Sequence, residues 1–236
     1  MDAASYATLS RQSGLMRQMQ VVANNIANIS TTGFRREGVV FEEYVARLAD
    51  GPSLAMASGN GRVVDLSQAG LNQTGGTFDF AIQGEGFFQV ESPSGNRLTR
   101  AGSFSPSADG ALMTADGNAL LDSGGAPVIL PPGATAIALA QDGSLSADGI
   151  PVAQIGLWQP SDPSSLQHQA GTLFSANAIE PAEGAVLLQG YLEDSNVQTV
   201  QEIARMIEVQ RSYELGQNFL DLEDKRTRGV IETLGR

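Results

Sequence analysis

Residues 21–34, VVANNIANISTTGF, set an apolar period on one side and three asparagines on the other, where a solvated helix would carry Lys and Glu. Continued toward the N-terminus at 100° per residue, Leu15, Met19, Val22, Ile26 and Ile29 fall on one stripe at spacings of four and three. Leu9, Met16, Ala23 and Ala27 widen that stripe to about 160° of arc, while Arg11, Arg17, Asn24, Asn25 and Asn28 lie on the remaining face. The spacing predicts a helix over 3–30. Gly33, free to take a left-handed conformation, is expected to stop it just before Phe34.

The far end of the chain mirrors this pattern. In SNVQTVQEIARMIEVQRSYELGQNFLDLEDKRTRGVIETL, residues 195–234, Ser195 and Gln198 have the spacing of a capping box. Met206, Val209, Tyr213 and Leu220 then follow one seam beside Val200, Ile203 and Ile207. About 39 helical residues would extend about 58 Å. A period sustained beyond about 25 residues marks coiled-coil or extended helical packing, not a compact domain.

Between the ends the period changes from helical to alternating. FDFAIQGEGFFQVES (78–92) alternates or runs apolar, and Asp-Gly pairs at 109–110, 116–117, 142–143 and 148–149 separate short apolar runs. Asp-Gly between strands signals a hairpin, because a type I′ turn needs positive φ at both central residues. The expected fold is therefore α+β, with long N- and C-terminal helices (1–36 and 191–236) flanking a central antiparallel, mainly β domain (76–190). Residues 37–75, including LADGPSLAMASGNGRVVD, are rich in Gly and small residues and lack a sustained period, which reads as an extended connector.

Composition narrows the chemistry. The chain has 236 residues, 42% of them hydrophobic, and no run near the roughly 20 apolar residues that cross a bilayer. Its opening, MDAASYATLSRQSGLMRQ, has neither the basic region nor the apolar core of a cleaved signal. Without cysteine there is no disulfide framework and no thiol nucleophile. The net charge is -12, residues 101–204 hold acids but no Lys or Arg, and the basic groupings elsewhere, Arg35-Arg36 and Lys225, Arg226 and Arg228 amid acids, fall short of the footprint that nucleic acid requires. His168 is the single histidine and falls in the polar stretch PSDPSSLQHQAG, which reads as a solvated loop; no G-x-S-x-G elbow accompanies it. GEGFF (84–88) fails as a dinucleotide fingerprint, since no third glycine and no helix follow. No catalytic, cofactor-binding or metal-binding residues and no cofactor are expected, although the two acids of a glycosidase can come from anywhere in a chain.

Four segments, VVANNIANISTTGFRRE, DLSQAGLNQTGGTFDFAIQGEGFFQVES, RLTRAGSFSPSADGALMTADGNALL and LLQGYLEDSNVQTVQEIARMIEVQRSYE, resemble in order the successive signatures of the bacterial flagellar rod and hook family. They cover nearly the whole chain. The resemblance implies a structural subunit of the basal-body rod, part of the axial shaft that carries torque from motor to hook. It implies export through the flagellar type III apparatus without a cleaved signal. Stacking into a helical tube would place the terminal helices on the inner wall and the β body outside. Its partners would be proximal and distal rod subunits and copies of itself, with no nucleic acid and no membrane-spanning segment.

The positions that match the terminal assembly motifs are 21–34 and 196–214. The expected interface comprises Leu15, Met19, Val22, Asn24, Asn25, Ile26, Asn28, Ile29, Gly33, Phe34, Asn196, Val197, Val200, Ile203, Met206, Ile207, Val209, Tyr213 and Leu220. In a tube of identical helices, charges would meet like charges or lose their water, whereas amides donate and accept at once and can satisfy their own copies. The alternative of a different class is a secreted β-domain enzyme or carbohydrate-binding module whose helices merely dimerise. Concentration dependence separates the two: a rod subunit stays monomeric until offered its neighbours.

Overall fold

The computed structural model describes residues 3–46 and 54–234, without the side chains of 3–7, 41–46, 54–60, 231 and 234. The chain forms two bodies. Residues 1–27, 37–63 and 198–236 make one, and residues 28–36 and 64–197 the other.

The first body contains two helices, α1 (Ala3–Ala27) and α2 (Thr199–Leu234), and two strands, β1 (Glu37–Ala46) and β2 (Leu54–Val64), paired with each other. Asn25 of α1 meets Glu202 near the start of α2, while Gln12 donates to the Tyr213 carbonyl at 3.0 Å, so the helices run antiparallel. Leu15, Val22 and Val209 are buried in this body. The connector expected at 37–75 is thus largely strand. Its first part, EGVVFEEYVA, is rich in β-branched and aromatic residues, a preference that the Gly and Ser of the following stretch obscured.

Both helices are shorter than their periodicity. α1 ends at Ala27, not 30, because the Thr31 hydroxyl bonds the Asn28 side chain and the Thr31 amide donates to the Asn28 carbonyl at 3.2 Å, competing with another helical turn. Gly33 does take a positive φ of 70°, but in a later turn and not as the helix cap. α2 begins at Thr199, not after Ser195. The Ser195 hydroxyl accepts from the Val197 amide, and the helical ladder opens with Glu202 donating to the Gln198 carbonyl. Among the described residues no helix is long and apolar enough to cross a membrane.

The second body is antiparallel β throughout its paired strands. A nine-stranded sheet among the described residues centres on Phe87–Ser92, which pairs with Gly95–Thr99, with Ala119–Leu120 and with Leu157–Pro160. Its core gathers Phe80, Ile82, Phe88, Phe104, Leu112 and Leu120 among other apolar side chains. The last strands before α2 return to the beginning of the body: Val186–Gln189 pairs with Phe80–Gln83, and Tyr191–Glu193 with Leu71–Gln73.

All four Asp-Gly pairs turn between paired strands. Only Asp148-Gly149, with φ of 51° and 82°, has the doubly positive geometry of a type I′ turn among the described residues. At 110, 117 and 143 the glycine alone is positive, and its amide donates three residues back, to Ser107, Thr114 and Ala140. That is a type I turn closed by a left-handed glycine, the common three-residue hairpin.

Candidate assembly interface

The second body draws the motifs TTGFRR and LEDSN, far apart in sequence, into one junction. The Gly33 amide donates to the Glu193 carbonyl at 2.8 Å, and the Asn196 amide to the Phe34 carbonyl at 3.3 Å. Phe34 is fully buried, edge-on to His168 at 5.5 Å, and His168 is edge-on to Phe174 at 5.2 Å. The single histidine therefore packs between aromatic rings instead of lying in a solvated loop; the strand Gln167–His168 pairs with Leu173–Ser175 and holds it there.

Beside Phe34 sits a buried ion cluster. Glu193 receives Arg35 at 2.9 Å and Arg100 at 3.1 Å, all three side chains 1–2% exposed. Glu193 also accepts from the Ala69 amide at 2.9 Å, Arg35 donates to the Ser67 carbonyl, and Arg100 donates to the carbonyls of Ile82 and Gly84. Arg36 pairs with Asp65 at 3.2 Å. Asn196 is the amide that closes this junction: its Oδ1 accepts from the Arg36 amide at 2.6 Å, and its Nδ2 donates to the carbonyls of Asp65 and Ser67 at 2.9 and 3.0 Å.

Electrostatics follow from that packing. Burial pulls the Arg35 guanidinium below its ordinary pKa, against the opposing charges of Glu193 and Asp65. Burial likewise brings Arg100 down to about 10, with Glu193 opposing the fall and Arg35 adding to it. Asp65 is pushed up by its burial, yet hydrogen bonds from Ser67 and Arg36 leave it below its ordinary value. An ion cluster of this kind adds little over apolar packing, but removing one partner strands an uncompensated charge.

In the first body Asn25 is fully buried. Its Nδ2 donates to the Glu37 carbonyl at 2.8 Å and its Oδ1 accepts from the Glu37 amide at 3.0 Å, so one side chain copies the two-bond rung of an antiparallel ladder. The same Nδ2 reaches Glu202 Oε2 at 3.2 Å. Asn25 is thus satisfied within its own chain and has no need of an identical neighbour.

The other expected interface residues divide by exposure. Leu15, Val22, Gly33, Phe34, Val197 and Val209 are buried; Met19, Asn24, Ile26, Asn28, Ile29, Asn196, Met206, Tyr213 and Leu220 are half-buried; Val200, Ile203 and Ile207 are exposed, Val200 to 80%. Sequence reasoning missed Leu215, Phe219, Leu222 and Val230 on α2, which are also exposed, Leu215 to 71%. Ile203, Ile207, Leu215 and Phe219 stand on one ridge at multiples of four residues, with Arg211 completing it. Such i±4 ridges are what one helix inserts into the grooves of another, and exposed apolar rows mark contact surfaces. Spacing by four was the signal available in the sequence; following the seam of Met206, Val209 and Tyr213 concealed it. Arg35, Arg100 and Glu193 were missed as a unit, although the scarcity of arginine in residues 64–197, where Arg97 and Arg100 stand alone, made each one conspicuous.

Three family profiles match this chain: "Flagella basal body rod protein" over residues 6–35, "Flagellar hook protein FlgE/F/G D1 domain" over 81–147, and "Flagellar basal body rod FlgEFG protein C-terminal" over 188–228. The flagellar basal-body rod protein FlgF of Caulobacter vibrioides is 38% identical, covering all of this chain and 99% of its own length. FlgF of Mesorhizobium japonicum is 35% identical with the same coverage. FlgG of Bacillus subtilis is 29% identical over 93% of this chain and 94% of its own length. Matched at both terminal motifs and across the β body that joins them, the chain belongs to the flagellar basal-body rod protein family.

Proposed function

We propose that this chain is a proximal-rod subunit of the FlgF kind, a structural protein and not an enzyme, which assembles by stacking its terminal helices against those of proximal and distal rod subunits and of its own copies. The end-to-end match to FlgF relatives carries the reading, since the FlgG relative is less similar over a shorter share of the chain. The apolar row on α2 supports it, because a helix that faced only water would not keep Ile203, Ile207, Leu215 and Phe219 outward. Export by the flagellar type III route and a periplasmic place in the rod belong to the same proposal.

Deletion of the gene, followed by complementation and recovery of basal bodies, tests it. Cells lacking the chain are expected to have truncated rods and no filaments, and the complementing chain is expected in purified basal bodies between the motor and the distal rod. Ile26→Glu places a charge on the half-buried α1 stripe; the variant should be exported with its β body intact and should fail to enter the rod. Normal swimming by the deletion strain would refute the proposal.

A further inference from the structure

The two helices of the first body leave a notch of about 360 Å³ along one side, lined by Arg11 and Leu15 of α1 and by Ser212, Leu215 and Phe219 of α2, among others. Leu215 is 71% exposed, Phe219 40%, and Arg11 is exposed as well, so an entering group meets all three. No acid lines the notch and none occurs anywhere in Ala3–Ala27, which leaves Arg11 as its charge. A different face of α2 carries the complement. Counted at 100° per residue from buried Val209, Ser212 and Phe219 lie about 60° and about 80° to one side, whereas Ile207 and Glu214 lie about 160° and about 140° to the other. Val200, Ile207, Glu214 and Asp221 recur every seven residues as one exposed stripe, apolar in its first half and acidic in its second. Among the described residues, Arg11, Glu214 and Asp221 have no ion-pair partner.

We propose that the notch receives Ile207 of a second copy of this chain, with Glu214 of that copy set against Arg11 and the two α2 helices parallel. The notch admits a branched side chain, since a single water needs only about 10–15 Å³ of the same measure. Seven residues carry Glu214 about 10 Å beyond Ile207, and four residues separate Leu15 from Arg11 by about 6 Å. Side chains lean toward the N-terminus of their own helix. Because α1 and α2 are antiparallel, Arg11 leans away from Leu15 while Glu214 leans back toward Ile207, which closes the difference. Complementary charge sets the register of such a contact. Its two halves occupy different faces, so a pair of copies keeps one notch and one stripe free. Contacts of this heterologous kind continue into an open helix instead of closing as a dimer. That the copies meet in a rod rests on the rod-subunit reading.

The chain has no cysteine, so thiols introduced at Ile207 and Ser212 find no native partner in its copies. Five residues apart on one helix, about 8 Å along its axis, they are too distant to bond internally. Oxidation of basal bodies containing the Ile207→Cys, Ser212→Cys chain should link successive copies into dimers and higher multimers, and neither single variant should link. Single variants that dimerise as readily overturn the heterologous contact; copies recovered in the rod without links, or linked only to a different subunit, overturn the second copy as occupant. Charge reversal reads the same contact without thiols. Arg11→Glu should lower the recovery of the chain in basal bodies several-fold with its helical circular dichroism retained, and Glu214→Arg in the same chain should restore it; no restoration overturns the pairing. Recovery of the unaltered chain is read separately, so loss of the links or of the rescue strikes this contact and not membership of the rod.

Discussion

Replacing Glu193 by Gln is a near-isosteric change that removes one buried negative charge from between two buried guanidinium groups. The amide keeps one acceptor oxygen, but its NH2 group turns donors toward Arg35 or Arg100, which can only donate. Breaking a buried ion pair by removing one partner costs about 3–5 kcal/mol, against a total of about 5–15 kcal/mol for a typical domain. At about 3 °C per kcal/mol for a body of this size, the melting midpoint should fall by about 10 °C or more. The chain has one tryptophan, Trp158, and it lies in the second body, so urea unfolding followed by its fluorescence reports on that body directly. Glu180→Gln, which removes an exposed carboxylate from the same body, is the control and should change stability by less than about 1 kcal/mol. A Glu193→Gln chain within about 1 kcal/mol of wild type would refute the view that the ion cluster locks the motif residues into the β body.

Gly33→Ala should destabilise the second body by at least about 1–2 kcal/mol, because φ is 70° and the added carbon lands on the backbone of Arg100 and Ala101; an unchanged urea midpoint would show the turn to be adaptable. Asn25→Ala strands the buried amide and carbonyl of Glu37 and should cost about 2–3 kcal/mol in the first body, seen as earlier loss of helical circular dichroism with Trp158 fluorescence unmoved. Bonds from the Ala136 amide and from Thr135 hold the Asp148 carboxyl below its ordinary 3.8, so its stabilising contribution is complete above that pH and is lost as pH falls through the depressed folded value. Asp148→Asn, which tolerates the same left-handed backbone, should therefore flatten the fall of the melting midpoint between about pH 5 and about pH 2; parallel curves would sink that assignment.

Local periodicity was sufficient for much of this architecture. Three- and four-residue spacing located both helices, and Asp-Gly pairs located four hairpins, because each depends on residues close together in the chain. Ends of elements were less legible. Ser195 had the sequence of a cap, yet bonds from Asn196 to residues 36, 65 and 67 hold that segment extended, and no local rule contains those partners. Strands β1 and β2 escaped notice for a related reason: their pairing supplies the order that their mixed composition leaves weak. The ion cluster joins residues 35, 100 and 193, three places linked only by the completed β body. As for Asn25, its position on the polar side of a stripe suggested a neighbouring subunit, whereas the turn after α1 brings Glu37 back to meet it.

The division of the chain has a covalent consequence. The polypeptide passes between the two bodies four times, after residues 27, 36, 63 and 197. Cutting any one of these links leaves three, so a single nick does not separate the halves. Such links are peptide bonds, which neither salt nor pH can loosen.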